Sequence, residues 1–163
     1  MKLFIRQKVF SWRDRFTVRD EYGAERWYAA GEVFSWGHKL HVTDPAGQEV
    51  LFIREKVWSF LPRFHIFLYG QQIAEITREF TLFRPRYRID GLGWRVDGTF
   101  WEHDYTISDG CRDIVTIHKQ WMTWGDCYEL DIADPADELY SLAAVLAIDC
   151  VLSNQAAAAA ASS

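Results

Sequence analysis

A metal or catalytic centre in this chain would have to be assembled from five histidines, three cysteines and 23 carboxylates. His38 and His41 stand three residues apart in a segment that reads as a strand. Successive strand side chains alternate between faces, so these two point in opposite directions and do not begin a metal site. His65, His103 and His118 each stand alone in apolar or mixed runs, the setting of satisfied core or surface histidines. Cys111, Cys127 and Cys150 are odd in number, widely spaced and without a CxxC pair. That pattern argues against a disulfide framework or a zinc site and fits reduced thiols. Cys111 follows a turn glycine and has no histidine beside it to activate a thiolate. The sequence holds no GxSxG, P-loop or GxGxxG element. No catalytic residue, metal or cofactor is therefore expected.

Six of the carboxylates coincide with turn signals: Asp20, Asp44, Asp90, Asp97, Asp109 and Asp126. Aspartate favours turns by accepting hydrogen bonds from nearby backbone amides, so their positions need no catalysis. Asp149 is different, because it lies near the end of an apolar helical segment where burial and the helix dipole both disfavour its charge. The expectation is that Asp149 reaches a barrel mouth and pairs there with Arg or Lys; the functional alternative is a polar ligand at that mouth. Arg84-Pro85-Arg86-Tyr87-Arg88 projects several guanidinium groups from one short segment. Arginine grips phosphate through paired donors, so Arg84, Arg86 and Arg88 are candidates for lipid head groups, with pairing to neighbouring acids as the plain alternative. Trp121 and Trp124 are candidates for contact with an unknown protein. The net charge of −5 argues against general nucleic-acid binding, which needs a basic surface.

The elements that must position these residues are mainly strands. Aromatic residues make up 16% of the chain, a bias that suits pleated, half-buried surfaces. From residue 2 to about 132 short apolar runs alternate with turn signals, among them Asp44-Pro45-Ala46-Gly47, Asp90-Gly91, Asp97-Gly98 and Asp109-Gly110. A shift of 64 residues places Val50-x-x-Ile53 on Ile114-x-x-Ile117, and Phe64-x-Ile66-x-Leu68 on Tyr128-x-Leu130-x-Ile132. Such repetition is expected where similar hairpins close a barrel.

After Asp134-Pro135 the character changes. Asp134 is a suitable N-cap, Pro135 suits the first helical position, and Asp137 and Glu138 favour the positive end of the dipole. Leu139 to Leu152 is apolar on every face, so this helix must be enclosed. Burying its larger side chains is worth roughly 12–24 kcal/mol gross. Residues 1–154 read as one domain, and 155–163, with its alanine run, as a disordered tail. No stretch is long and apolar enough for a transmembrane segment, and the N-terminal apolar run is too short for a signal-peptide core. A cytoplasmic protein is expected, peripheral at the membrane if lipid is bound.

The chain resembles the LURP-one-related family, including its small bacterial members, within the Tubby C-terminal-like superfamily. The residues that carry the resemblance are the Val42-Thr-Asp-Pro-x-Gly47 turn leading to Val50-x-x-Ile53-x-x-Lys56, and the Ile107-Ser-Asp-Gly110 turn leading to Val115-x-Ile117-x-Lys119. Trp121-x-x-Trp124-Gly125-Asp126-x-Tyr128-x-Leu130-Asp131-Ile132 and the closing helix with Ala147-Ile148-Asp149 complete it. The resemblance implies a mainly β fold, a closed antiparallel barrel of about twelve strands around one apolar C-terminal helix. Phospholipid scramblases look like distant relatives, which suggests a non-enzymatic module associated with an anionic lipid surface, or else a protein-interaction scaffold. The Pro-rich leader and Cys-rich segment associated with scramblases have no counterpart here.

Overall fold

The computed structural model describes residues 1–6, 15–32, 36–59, 61–79, 86–99, 104–122 and 125–161. Among them lie strands β1 (Lys2–Arg6), β2 (Arg15–Asp20), β3 (Glu25–Gly31), β4 (Lys39–Thr43), β5 (Glu49–Glu55) and β6 (Arg63–Leu68). They continue as β7 (Gln71–Glu79), β8 (Arg86–Asp90), β9 (Trp94–Thr99), β10 (Asp104–Ser108), β11 (Asp113–Met122) and β12 (Gly125–Ile132). A short 3-10 turn, Pro135–Asp137, leads into helix α1 (Glu138–Ala161).

Turn chemistry sets the reversals. The Asp20 carboxylate accepts hydrogen bonds from the backbone N–H groups of Tyr22 and Ala24. Asp44 does so for Ala46 and Gln48, and Asp109 for Cys111 and Arg112. One short acceptor holding two turn amides fixes a tight hairpin. The same bonds, from Arg112 and then Cys111, hold the Asp109 carboxyl below the usual range.

Each strand pairs antiparallel with its chain neighbours, and β1 pairs with β12, so the sheet closes without an edge. The 64-residue repeat has a structural counterpart. Tyr69 N–H donates to the Val50 carbonyl at 2.9 Å, and Ala133 N–H donates to Ile114 at 3.0 Å. The two related strand sets, β4–β6 and β10–β12, occupy opposite sides of the closed ring.

Alternate residues face inward and form one core with the helix. Sheets of twelve strands enclose more room than their own side chains fill. Here α1 fills it: Leu142 to Ile148, Cys150 and Val151 are all at most 1% exposed. The small Ala143, Ala144 and Ala147 let the helix pass close to the wall. At the start of the helix Asp134 caps the 3-10 turn by accepting from Ala136 N–H at 2.9 Å. Arg26 grips the Glu138 carboxylate with two donors, and Trp27 Nε1–H donates to it at 2.9 Å.

The rim where β12 ends and α1 begins is the near rim. Strand alternation places the tight turns after β2, β4, β6, β8 and β10 at the near rim. The ends of the odd-numbered strands, and the far half of α1, lie at the opposite, far rim.

Three expectations need correction. Asp97-Gly98 is not a turn, because Gly98 lies inside β9 opposite Tyr105. Its φ is +131°, and a Cβ there would come within 2.7 Å of the Asp104 carbonyl and Tyr105 Cα, so only glycine fits. Asp126 lies in β12 opposite Trp121, again not in a turn. The alanine run is helical through Ala161, where a disordered tail was expected from residue 155. Alanine has the highest intrinsic helix propensity, which favours continuing the helix through the run.

Candidate anion-binding surface

The β8–β9 hairpin carries the arginines that sequence reading singled out. Tyr87 and Ile89 point into the core, which turns Arg88 and Asp90 outward. The reversal between Asp90 and Trp94 pairs Ile89 with Trp94, and therefore Arg88 with Arg95. Both arginines are exposed, so two cations stand directly opposite on one face of a β ladder. Like charges in that position repel and weaken the pair unless an anion lies close. Asp90 supplies part of the compensation, accepting from Arg88 Nε–H at 2.9 Å. Arg86 opens β8 opposite Glu79. Arg84 lies outside the described residues.

Arg95 was not among the sequence candidates. The signal that could have found it is the turn itself, since counting outward from Asp90-Gly91-Leu92-Gly93 pairs residues 89 with 94 and 88 with 95. The arrangement presents forked donors to an oxyanion, the chemistry that phosphate requires.

The other candidates are not brought to this surface. Trp121 stands near the end of β11, at the far rim. Trp124 lies outside the described residues. Asp149, expected at an open mouth, is instead enclosed at 2% exposure. Its surroundings include Tyr105, whose phenol is pushed well above its ordinary pKa by burial first, then by the Asp149 charge and by Tyr128 and Tyr87. Burial and the same carboxylate, with Glu55, push the Cys150 thiol up as well, so it stays protonated and unreactive.

The described histidines are held by carboxylates. His41 lies between Glu49 and Glu32, at 2.5 and 2.8 Å. His65 meets Glu75 at 3.0 Å, and His118 meets Asp104 at 3.1 Å. His38 faces Glu55 at 3.9 Å. His103 lies outside the described residues. Among the described residues no group of three His, Cys, Asp or Glu side chains could hold a metal ion.

The twelve-strand closure around one C-terminal helix agrees with comparison to known proteins. The family model of the LURP-one-related proteins matches residues 1–149. The chain belongs to the LURP-one-related family. It is 36% identical over 154 residues to the uncharacterized protein YxjI of Bacillus subtilis (strain 168), covering 94% of this chain and 95% of that one. An X-ray structure of an Arabidopsis thaliana protein shares the fold with a TM-score of 0.61 and 16% identity, over 91% of this chain and 90% of the other. Among the described residues of this LURP-one-related barrel, no helix is long and apolar enough to cross a membrane.

Proposed function

We propose that this LURP-one-related barrel is a non-enzymatic module that docks on anionic lipid surfaces. On this reading it is a cytoplasmic protein held peripherally at the membrane. The observation that carries the reading is the exposed Arg88–Arg95 cross-strand pair, with Arg86 at the start of the same strand. A phosphate between two such cations relieves their repulsion and accepts several charge-assisted hydrogen bonds. The buried helix supports a surface site over an interior one, because it occupies the space a ligand cavity would need.

The test is co-sedimentation of the protein with anionic and neutral vesicles, before and after Arg88→Ala and Arg95→Ala. Each basic residue near an anionic surface is worth about 1 kcal/mol, so the double change is expected to weaken anionic binding roughly thirtyfold. Adding Arg84→Ala and Arg86→Ala should weaken it further. Anionic binding indifferent to all four changes would sink the reading. The alternative function, a protein-interaction scaffold using Trp121 and Trp124, would then gain support if a defined partner were lost on their substitution.

A further inference from the structure

The far rim exposes large aromatic side chains that the core does not use. Trp36, between β3 and β4, is 83% exposed, and Trp58, between β5 and β6, is 92% exposed. Their local sequences match: Val33-Phe34-Ser35-Trp36 and Val57-Trp58-Ser59-Phe60, with Val9-Phe10-Ser11-Trp12 repeating the pattern between β1 and β2.

The two described tryptophans belong to adjacent segments that are tied together. Glu55 N–H donates to the His38 carbonyl at 2.8 Å, and His38 N–H donates to the Glu55 carboxylate at 3.0 Å. Gly37 packs so closely on Val57 that a Cβ there would lie 2.6 Å from a valine methyl. Trp58 itself has φ +71°, the left-handed region that bulky residues rarely adopt. Tyr69, in the near-rim turn after β6, is also exposed on a left-handed backbone, so what sets this arc apart is tryptophan in two tied segments.

Charge separates the same two rims. The near-rim reversals carry Asp20, Glu21, Asp44, Asp90, Asp109 and Asp134. The arc around Trp36 and Trp58 carries Lys39, Arg54, Lys56 and Arg63 against Glu32 and Glu55, a local basic excess in a chain of net charge −5. An anionic bilayer attracts the far rim and repels the near one. Tryptophan, with an apolar body and a polar N–H, concentrates where acyl chains meet head groups.

We propose that Trp36 and Trp58 are an interfacial anchor, and that the barrel leans on an anionic bilayer with this arc of its far rim and the outer face of β8 and β9 towards it. The proposal rests on the membrane-surface reading above and adds the orientation and the anchoring residues. The end of β7 and the start of β8, at Arg86, lie at the same rim.

The experiment compares the full chain, the Trp36→Ala/Trp58→Asn double variant and the Arg88→Ala/Arg95→Ala double variant. Each is titrated with vesicles of phosphatidylcholine alone and of phosphatidylcholine with phosphatidylserine, at low and high salt. Asparagine tolerates the left-handed backbone, so the variant should melt no lower than the full chain. The tryptophan variant is expected to bind phosphatidylserine vesicles about tenfold or more weakly, at high salt as well as low, because burial of indole is not screened. The arginine variant should lose chiefly the salt-sensitive part. Binding lost with the arginines but unchanged in the tryptophan variant overturns the anchor and leaves the arginine site standing. Binding lost with the tryptophans alone supports the anchor and overturns the arginine site. A full chain that binds neither vesicle overturns both.

Discussion

His41 on β4 sits with one ring nitrogen against Glu49 and the other against Glu32, while Lys39 donates to the second Glu32 oxygen. Partial burial alone lowers the imidazole pKa, but the hydrogen bonds to Glu49 and Glu32, and their charges, outweigh it and raise it. The folded state therefore holds the proton more tightly than the unfolded chain. Stability from charged His41 is complete below about pH 6.5 and is lost as pH rises through the folded pKa. His38 acts in the opposite sense: burial lowers its pKa against the pull of Glu55, so its contribution is lost as pH falls. Denaturant melts between about pH 6 and pH 9 should show stability changing less favourably with rising pH in the full chain than in His41→Phe. Parallel profiles for the two would contradict this assignment. The His41 cluster was not legible in the sequence, because its partners come from residue 32, just past β3, and residue 49, the first of β5. The turn aspartates were legible, since Asp20, Asp44 and Asp109 act within four residues of themselves.

At the scale of elements, the apolar helix and its cap could be read directly, because both signals are local in sequence. What could not be read is how the barrel holds the helix. Glu138 is gripped by Arg26 and Trp27, more than a hundred residues away, and Arg112 reaches Asp137. Gly98 was misread for a related reason: Asp-Gly signals a turn locally, but the close approach of β10 requires glycine inside a strand. Hydrophobic burial of α1, roughly 12–24 kcal/mol gross, exceeds the net stability of about 5–15 kcal/mol typical of a domain. A chain ending at Ala133 is therefore expected to lose cooperative unfolding, read by thermal melting and near-ultraviolet circular dichroism. A soluble fragment that still melts cooperatively would contradict the role of the helix as an integral core element.

Over the whole molecule, alternation of strand direction turns a sequence of hairpins into two unlike ends. Every second connection returns to the same rim, so the acidic turns gather where the helix begins and exposed Trp36 and Trp58 gather at the opposite rim. Neither the closure of β1 onto β12 nor this polarity is visible in any single motif, although the 64-residue repeat hints at two related halves. The central claim is that such a molecule meets an anionic membrane surface. The most direct measurement is co-sedimentation of the full chain with anionic and with neutral vesicles, at low and at physiological salt. Binding to anionic vesicles, stronger at low salt and weaker or absent with neutral ones, is the expected result. Failure to bind anionic vesicles at either salt would contradict it.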